Sequence, residues 1–204
     1  MEKQNHWDSV YRDRTPTQVS WFQEHSLLSL QFIQLTGVEK AGRIIDVGGG
    51  ASTLVDDLLA DGFTQVTILD ISHSALEAAQ HRLGRRASQV SWLKADITQV
   101  SLSSQLYDVW HDRAVFHFLT SPEDRRKYVE AVERAVKPGG HVIVATFAPD
   151  GPLRCSGLDV VRYSPAALHA EFGVDFELVD NTREIHRTPM GTVQQFIYCY
   201  CRKS

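Results

Sequence analysis

Apolar positions along this chain switch repeatedly between short β-favouring runs and helical spacing. Leu28, Phe32 and Leu35 recur at helical spacing before Gly37, a natural C-terminal cap, and the run Arg43–Val47 then reads as a strand. Leu54, Val55, Leu58 and Leu59 mark one face of the next helix, which Gly62 stops. The apolar run Val66-Thr67-Ile68-Leu69 closes on Asp70, and Ser74 to Leu83 reads as a helix with Ser74 and Glu77 in capping-box spacing. Ser121 as N-cap, Pro122 at the first helical position and Glu123 and Asp124 in the first turn open a helix that buries Tyr128, Val129, Val132 and Val136. Ser164 and Pro165 repeat that start before Ala166–Phe172. Alternation of this kind demands an α/β fold, a parallel sheet with helices on both faces. Val174–Asp180 and Thr192–Arg202 follow one another with no helix between them, which predicts an antiparallel pair at the end. The polar stretches 148–157 and 183–189, rich in turn residues, read as loops.

The chemistry concentrates at Asp46-Val47-Gly48-Gly49-Gly50, where a strand runs into a glycine turn that opens a helix. Glycine there lets bare backbone approach a ligand where a β-carbon would collide. A dinucleotide fingerprint needs a third glycine or alanine, but counting from Gly48 and Gly50 reaches Thr53, and Asp46 before the turn would repel a pyrophosphate. Asp46 suits a ligand with an ammonium group instead. Asp70, twenty residues after Gly50, stands where a carboxylate accepts both hydroxyls of a ribose. Ribose, ammonium and no phosphate point to S-adenosylmethionine.

With these residues the chain resembles the class I S-adenosylmethionine-dependent methyltransferases. Asp46, Gly48 and Gly50 stand as the family's first motif, Asp70 and Ile71 match its ribose-binding position and neighbour, and Asp96 and Ile97 match the pair that holds adenine. Asp108 to Arg113 matches the fourth strand and its end, and Lys137-Pro138-Gly139-Gly140 the turn into the fifth. Asp112 and Arg113 would then meet the cofactor, Arg113 through its backbone. The resemblance implies a Rossmann-like seven-stranded sheet in the order 3-2-1-4-5-7-6, its last strand antiparallel, with the cofactor at the carboxyl ends of strands one to four. It also implies one methyltransferase domain over residues 1–204. Within it, 1–36 covers the cofactor and supplies a helix, 41–147 forms the cofactor-binding core, and 148–204 carries substrate loops and the terminal strands. His6-Trp7-Asp8-x-x-Tyr11, followed by Ser20-Trp21-Phe22, resembles the subgroup that includes eukaryotic elongation-factor lysine methyltransferases and bacterial relatives. In that subgroup the residues matching Trp7, Tyr11 and Trp21 fold over the cofactor, and aromatic faces attract a sulfonium cation.

Methyl transfer from a sulfonium is an in-line displacement that needs a nucleophile held about 3 Å from the methyl in a dry pocket. A base enters only if the nucleophile arrives protonated, and Asp112 and His117, near the end of strand four, are the catalytic candidates. The family's amino-methylating Asn/Asp-Pro-Pro-Tyr/Phe motif is absent, with Asp112-Arg113-Ala114-Val115 in its place. Arg154, Cys155 and His186 are the candidate substrate residues, and Arg162, Arg183 and Arg187 are further cations for an anionic acceptor.

Composition narrows the partners. The 204 residues are 43% hydrophobic and 23% charged, the usual range for a soluble single domain. A formal net charge of −4 argues against a protein that tracks nucleic-acid phosphates. The longest apolar run, Val142–Ala148, is far short of the ~20 residues that span a bilayer. Glu2, Asp8 and Asp13 stand where a signal peptide would be apolar, so a cytoplasmic protein with no membrane partner is expected. Three cysteines give no disulfide framework, and the nine histidines fall in no metal-ligand spacing, so no metal is expected. The leading expectation is methylation of a small-molecule acceptor, with S-adenosyl-L-homocysteine as product. A protein lysine methyltransferase and a non-catalytic nucleotide-binding scaffold are the alternatives. Acceptor identity and oligomeric state are not readable.

Overall fold

The structure, a computed structural model, describes residues 2–204. Its strands are β1 (Arg43–Val47), β2 (Gln65–Asp70), β3 (Val90–Lys94), β4 (Tyr107–Arg113), β5 (Val136–Phe147), β6 (Arg154–Cys155), β7 (Leu158–Asp159), β8 (Phe176–Arg187) and β9 (Val193–Lys203). The helices are α1 (Glu2–Asp13), α2 (Leu27–Leu35), α3 (Leu54–Ala60), α4 (His73–Leu83), α5 (Pro122–Ala135) and α6 (Pro165–Phe172). The main sheet runs β3-β2-β1-β4-β5-β9-β8, its first five strands parallel and β9 antiparallel to both neighbours. Setting aside the small β6–β7 hairpin, that is the expected seven-stranded order.

Strand alternation divides the core between the two faces. Ile45, Val47, Trp110, Val142 and Val144 pack on the face covered by α5 and α6. Ile44, Val109, Ile143 and Ala145 pack on the opposite face with Phe32, Ile33, Leu54 and Leu58 of α2 and α3. The same alternation governs the polar residues at the strand ends. His111 follows Val109 toward α2, and Asp112 follows Trp110 toward α5.

Four local expectations are corrected. The α4 cap is Ser72, whose side chain accepts from Ala75 N at 3.2 Å, and Glu77 instead lies 3.3 Å from His73. Residues 183–187 extend β8 to twelve residues rather than forming a loop, because an edge strand keeps one side in solvent and tolerates polar side chains there. The turn Lys137–Gly140 lies inside β5 as a register shift, with Tyr107 opposite Val136 and Val109 opposite His141. Within the expected loop 148–157, residues 154–155 pair with 158–159 across Ser156 (φ 50°) and Gly157 (φ 80°), the two left-handed residues of a tight hairpin. No described helix is long and apolar enough to cross a membrane.

Candidate cofactor and acceptor site

The first turn after β1 explains why glycine stands there. Gly48 has φ +70°, donates to Leu69 O at 2.7 Å, and a β-carbon on it would collide with Val115 Cγ2. A β-carbon on Gly50 would lie 2.5 Å from both Ala75 Cβ and Asp70 Oδ2. Asp70 closes the corner: its carboxylate accepts from Gly50 N at 3.0 Å and Ser72 N at 2.8 Å, which ties the glycine turn to the start of α4. Burial pushes this carboxyl up to about 6 against those two hydrogen bonds, with Asp46 and Asp8 adding to the rise. A carboxylate offers about four acceptor positions, so two remain for a ligand.

A cavity of about 340 Å³ opens along these strand tips. Its wall runs from Asp96 and Ile97 through Asp70 and Ile71 to Gly48 and Arg113, then on to Ala114, Val115, Phe118, Leu119, Cys155 and Leu158. Trp7, Tyr11 and Trp21 line it from the N-terminal segment. Trp7 packs edge-on against Trp21 and Phe118 with ring centroids 5.8 and 5.0 Å away. Burial pushes the Tyr11 phenol far up, with Asp70 adding to the rise.

The helix that carries Trp7 and Tyr11 is docked by charge at both sides of the opening. Asp8 accepts from Ser72 Oγ at 2.8 Å and Ser74 N at 3.3 Å, at the N-terminus of α4. Partial burial works to raise its pKa, but these hydrogen bonds hold it below the usual carboxylate value. Lys3 donates to Asp124 at 2.7 Å at the start of α5.

Ten of the expected residues therefore meet at one cavity: Trp7, Tyr11, Trp21, Gly48, Asp70, Ile71, Asp96, Ile97, Arg113 and Cys155. Asp46, Gly50, Asp112, His117, Arg154 and His186 are not part of its wall. Asp46 lies beneath Gly49 and takes a hydrogen bond from His111 Nδ1 at 2.7 Å, while its Oδ2 has no partner among the described residues. His111 Nε2 lies 2.9 Å from Ser29 Oγ, which is 3.2 Å from Tyr198 Oη. Asp112 accepts from Tyr128 Oη at 2.6 Å and from Val115 N and Phe116 N at 2.8 and 3.0 Å. Burial pushes it up to about 6 against those bonds. It fixes the turn at Ala114, whose φ of 76° is strained for a residue with a β-carbon and which lines the cavity.

His117 lies among Phe118, Phe147 and Phe196, and its Nδ1 accepts from Phe147 N at 3.3 Å. Burial, aided by the Arg113 charge, lowers it to about 3, so the ring is neutral. Burial likewise pushes the Cys155 thiol up to about 11, so it is a neutral wall group rather than a thiolate. His186 donates to Ser20 O at 2.8 Å and pins β8 to the segment before Trp21. Arg154 bonds Gly157 O and lies 3.0 Å from Asp159; Arg162 bonds Gly151 O, and Arg183 pairs with Asp150. None of these three arginines lines the cavity.

Sequence reasoning missed Ala114, Val115, Phe118, Leu119, Leu158 and Asp159 as wall residues. The position of 114–119 just past β4 was the available signal; nothing in the sequence pointed to 158–159. No group of three or more His, Cys, Asp or Glu able to hold a metal lies among the described residues.

Residues 44–140 match the family model described as a methyltransferase domain. An eEF1A lysine and N-terminal methyltransferase from Danio rerio is 23% identical over 181 residues, covering 87% of this chain and 26% of the relative. A ubiquinone/menaquinone biosynthesis C-methyltransferase from Ectopseudomonas mendocina (strain ymp) is 27% identical over 145 residues, covering 69% and 56%. The chain thus spans about a quarter and about half of these relatives' lengths. The N-methyltransferase NodS from Bradyrhizobium japonicum WM9, solved with S-adenosyl-L-homocysteine, superposes with a TM-score of 0.74 at 16% identity, covering 96% of this chain and 97% of NodS. The chain thus resembles methyltransferases in sequence over residues 44–140 and shares the fold of NodS over nearly its whole length.

Proposed function

We propose that this chain transfers a methyl group from S-adenosylmethionine to a small, largely apolar molecule bound in the same cavity. The observation that carries the reading is the continuity of that cavity, from acidic strand tips at Asp70 and Asp96 to an apolar end roofed by Trp7 and Trp21. The residues fit the cofactor: Gly48 presents main chain where a β-carbon has no room, and Asp70 keeps acceptor positions for a ribose. Asp96, already fixed by Thr98 N at 2.9 Å and Thr98 Oγ1 at 2.7 Å, and Ile97 would flank the adenine. When bound, S-adenosylmethionine supplies a methyl group on a cationic sulfur that departs as a neutral thioether.

The chain's own part is orientation and exclusion of water. Trp7, Tyr11 and Trp21 present ring faces and edges over the cavity, which favour a cation and keep solvent out. Ala114, Val115 and Phe118 hold the acceptor side of the wall. At that end the wall offers neutral Cys155 and an Asp159 already beside Arg154. Asp112 and His117 act as positioning residues behind the wall. Catalysis then rests on approach geometry, which supplies up to about 7–11 kcal/mol, and the acceptor atom arrives with its lone pair free.

The name of the Danio rerio relative favours a second reading, a lysine side chain of a protein as acceptor. The roofed cavity supports the small-molecule reading over it. The deciding experiment measures S-adenosyl-L-homocysteine formation with a panel of small apolar thiols, amines and phenols beside lysine peptides. Turnover of the small molecules is expected; turnover confined to lysine peptides overturns the acceptor class. Binding without turnover of any acceptor favours the scaffold.

A further inference from the structure

Each titratable side chain that lines the main cavity among the described residues is already committed. Asp70 holds Gly50 N and Ser72 N, Asp96 holds Thr98 N, and Lys3 donates to Asp124, which stands outside the wall. Arg113 pairs with Glu184 at 3.0 Å. Burial keeps the Tyr11 phenol neutral and pushes the Cys155 thiol up to about 11. Asp159 is the one carboxylate beside the apolar end; it is 80% exposed and lies 3.0 Å from Arg154 Nε. Asp112 and His117 lie behind the wall. An acceptor that must lose a proton during the transfer, as an alcohol must, therefore meets no base built for the task among the described residues.

The wall also grades the nucleophiles that shed their proton in water. An anion that meets a sulfonium gives two neutral products, and an apolar pocket favours that loss of charge. An amine instead leaves a buried cation, whose N–H groups need acceptors. A carboxylate is strongly hydrated, and its oxygens need several donors once out of water. A thiolate is the softer anion, and sulfur packs favourably at aromatic edges. Trp7 supplies such edges with Trp21 and Phe118, at centroid distances of 5.8 and 5.0 Å. Burial dominates at Cys155, but the Arg113 charge works the other way there, so a second sulfur at this end would feel the same positive potential.

We propose that the acceptor is a small apolar thiol that reacts as its thiolate. This rests on the methyl-transfer reading above and narrows its acceptor class. The acceptor sulfur bonds to the methyl carbon as that carbon's bond to the cofactor sulfur breaks. The electron pair stays on the cofactor sulfur, so S-adenosyl-L-homocysteine and a methyl thioether both leave neutral. The thiol proton has gone to solvent beforehand, and the step balances without a further reactant.

The test offers benzenethiol, the less acidic phenylmethanethiol, phenol, benzylamine and benzoate, and follows S-adenosyl-L-homocysteine release at saturating cofactor from about pH 7 to 10. Both thiols should exceed the other three by about tenfold or more in kcat/KM. For phenylmethanethiol kcat/KM should rise with an inflection at that thiol's own pKa, while benzenethiol, already ionised, gives a flat profile. Asp159→Asn should leave each profile with its thiol. One inflection shared by both thiols, or one lost in Asp159→Asn, marks a protein base and overturns the proposal. A preference for the phenol, amine or acid overturns it too and leaves methyl transfer standing. A binding measurement covers the case in which none of the five is turned over. With sinefungin, whose ammonium stands in for the sulfonium, bound phenylmethanethiol should show thiolate absorbance about 1–3 pH units below the free thiol, and a smaller shift with S-adenosyl-L-homocysteine. Equal shifts, or none, overturn the thiolate. A protein that binds neither sinefungin nor S-adenosyl-L-homocysteine removes both readings.

Discussion

Asp70 yields the sharpest quantitative expectation, because its carboxylate is at once buried, half satisfied and assigned to the ribose. Two ribose hydroxyls donating to it contribute about 1.5–3 kcal/mol each as charge-assisted bonds. Asp70→Ala should therefore weaken S-adenosyl-L-homocysteine by about 3–6 kcal/mol, or roughly 10²–10⁴ in Kd. The pH dependence has a definite sign. Burial raises this carboxyl from 3.8 to about 6, and the hydroxyls donate most strongly to its ionised form. Below pH 6 the ligand favours loss of that proton, so affinity should fall by up to about tenfold per pH unit on acidification and level off above about pH 7. In the ligand-free protein the same shift opposes folding at neutral pH: its contribution to stability is fully present below pH 3.8 and lost as pH rises to about 6, on the order of 3 kcal/mol. Asp112, also at about 6, titrates in the same window, so Asp70→Asn separates the two. Calorimetry from pH 5 to 8 should show about one proton released per ligand at the acid end and none at the alkaline end. A wild-type Kd that is flat over this range, or a slope that survives in Asp70→Asn, refutes the assignment.

Three further outcomes follow from the geometry. Gly48→Ala combines a positive φ with a collision at Val115 Cγ2, so thermal unfolding should show a loss of about 1–3 kcal/mol and calorimetry no detectable cofactor binding. Asp8→Ala removes the bonds to Ser72 Oγ and Ser74 N; cleavage within α1 under limited proteolysis should speed up, and S-adenosyl-L-homocysteine should weaken by about three- to thirtyfold, with little change in the melting of the rest. His117→Phe should keep kcat within about threefold and stability within about 1–2 kcal/mol, since the neutral ring already sits among three phenylalanines and its Nε2 has no partner among the described residues. A hundredfold fall in kcat in a folded His117→Phe would restore the residue to catalysis.

What the sequence carried about the fold was carried locally. Start signals at Ser121-Pro122 and Ser164-Pro165 are short-range chemistry, and both serines cap as expected, accepting from Asp124 N and Ala167 N at 3.3 and 3.2 Å. Ser72 and Ser74 compete for one helix start, and the winner depends on one near and one distant partner: Asp70 holds Ser72 N, and Asp8 holds the Ser72 hydroxyl and Ser74 N. α1 is a similar case. Its sequence is mostly polar, and its contacts at Ser72, Ser74 and Asp124 lie more than sixty residues away. Residues 183–187 looked like a loop because they are mostly polar: at the sheet edge Arg183, Ile185 and Arg187 face solvent, while Glu184 and His186 turn inward to Arg113 and Ser20 O.

The site divides along the same line. Glycine spacing and acids at strand tips were legible because both describe backbone that must approach a ligand, and Gly48, Asp70 and Asp96 meet at the cavity. Asp46, Asp112 and His117 stand off the cavity wall because residue type announces chemistry while direction decides which side chains reach the cavity. On β4, period two sends His111 and Asp112 to opposite faces, each into a closed hydrogen-bond set behind the wall. The polar chain from Asp46 through His111, Ser29 and Tyr198 ends on Arg113 and Glu184, so one buried network joins the floor of the glycine turn to a cation of the cavity wall. On the proposed reading, selectivity falls to the residues that close the cavity from outside the sheet: Trp7 and Trp21 above, Cys155 and Leu158 of the hairpin beside them. Because these sit on α1, a connecting segment and a small two-stranded hairpin, the acceptor can change through them without disturbing the strand tips proposed to hold the adenosine.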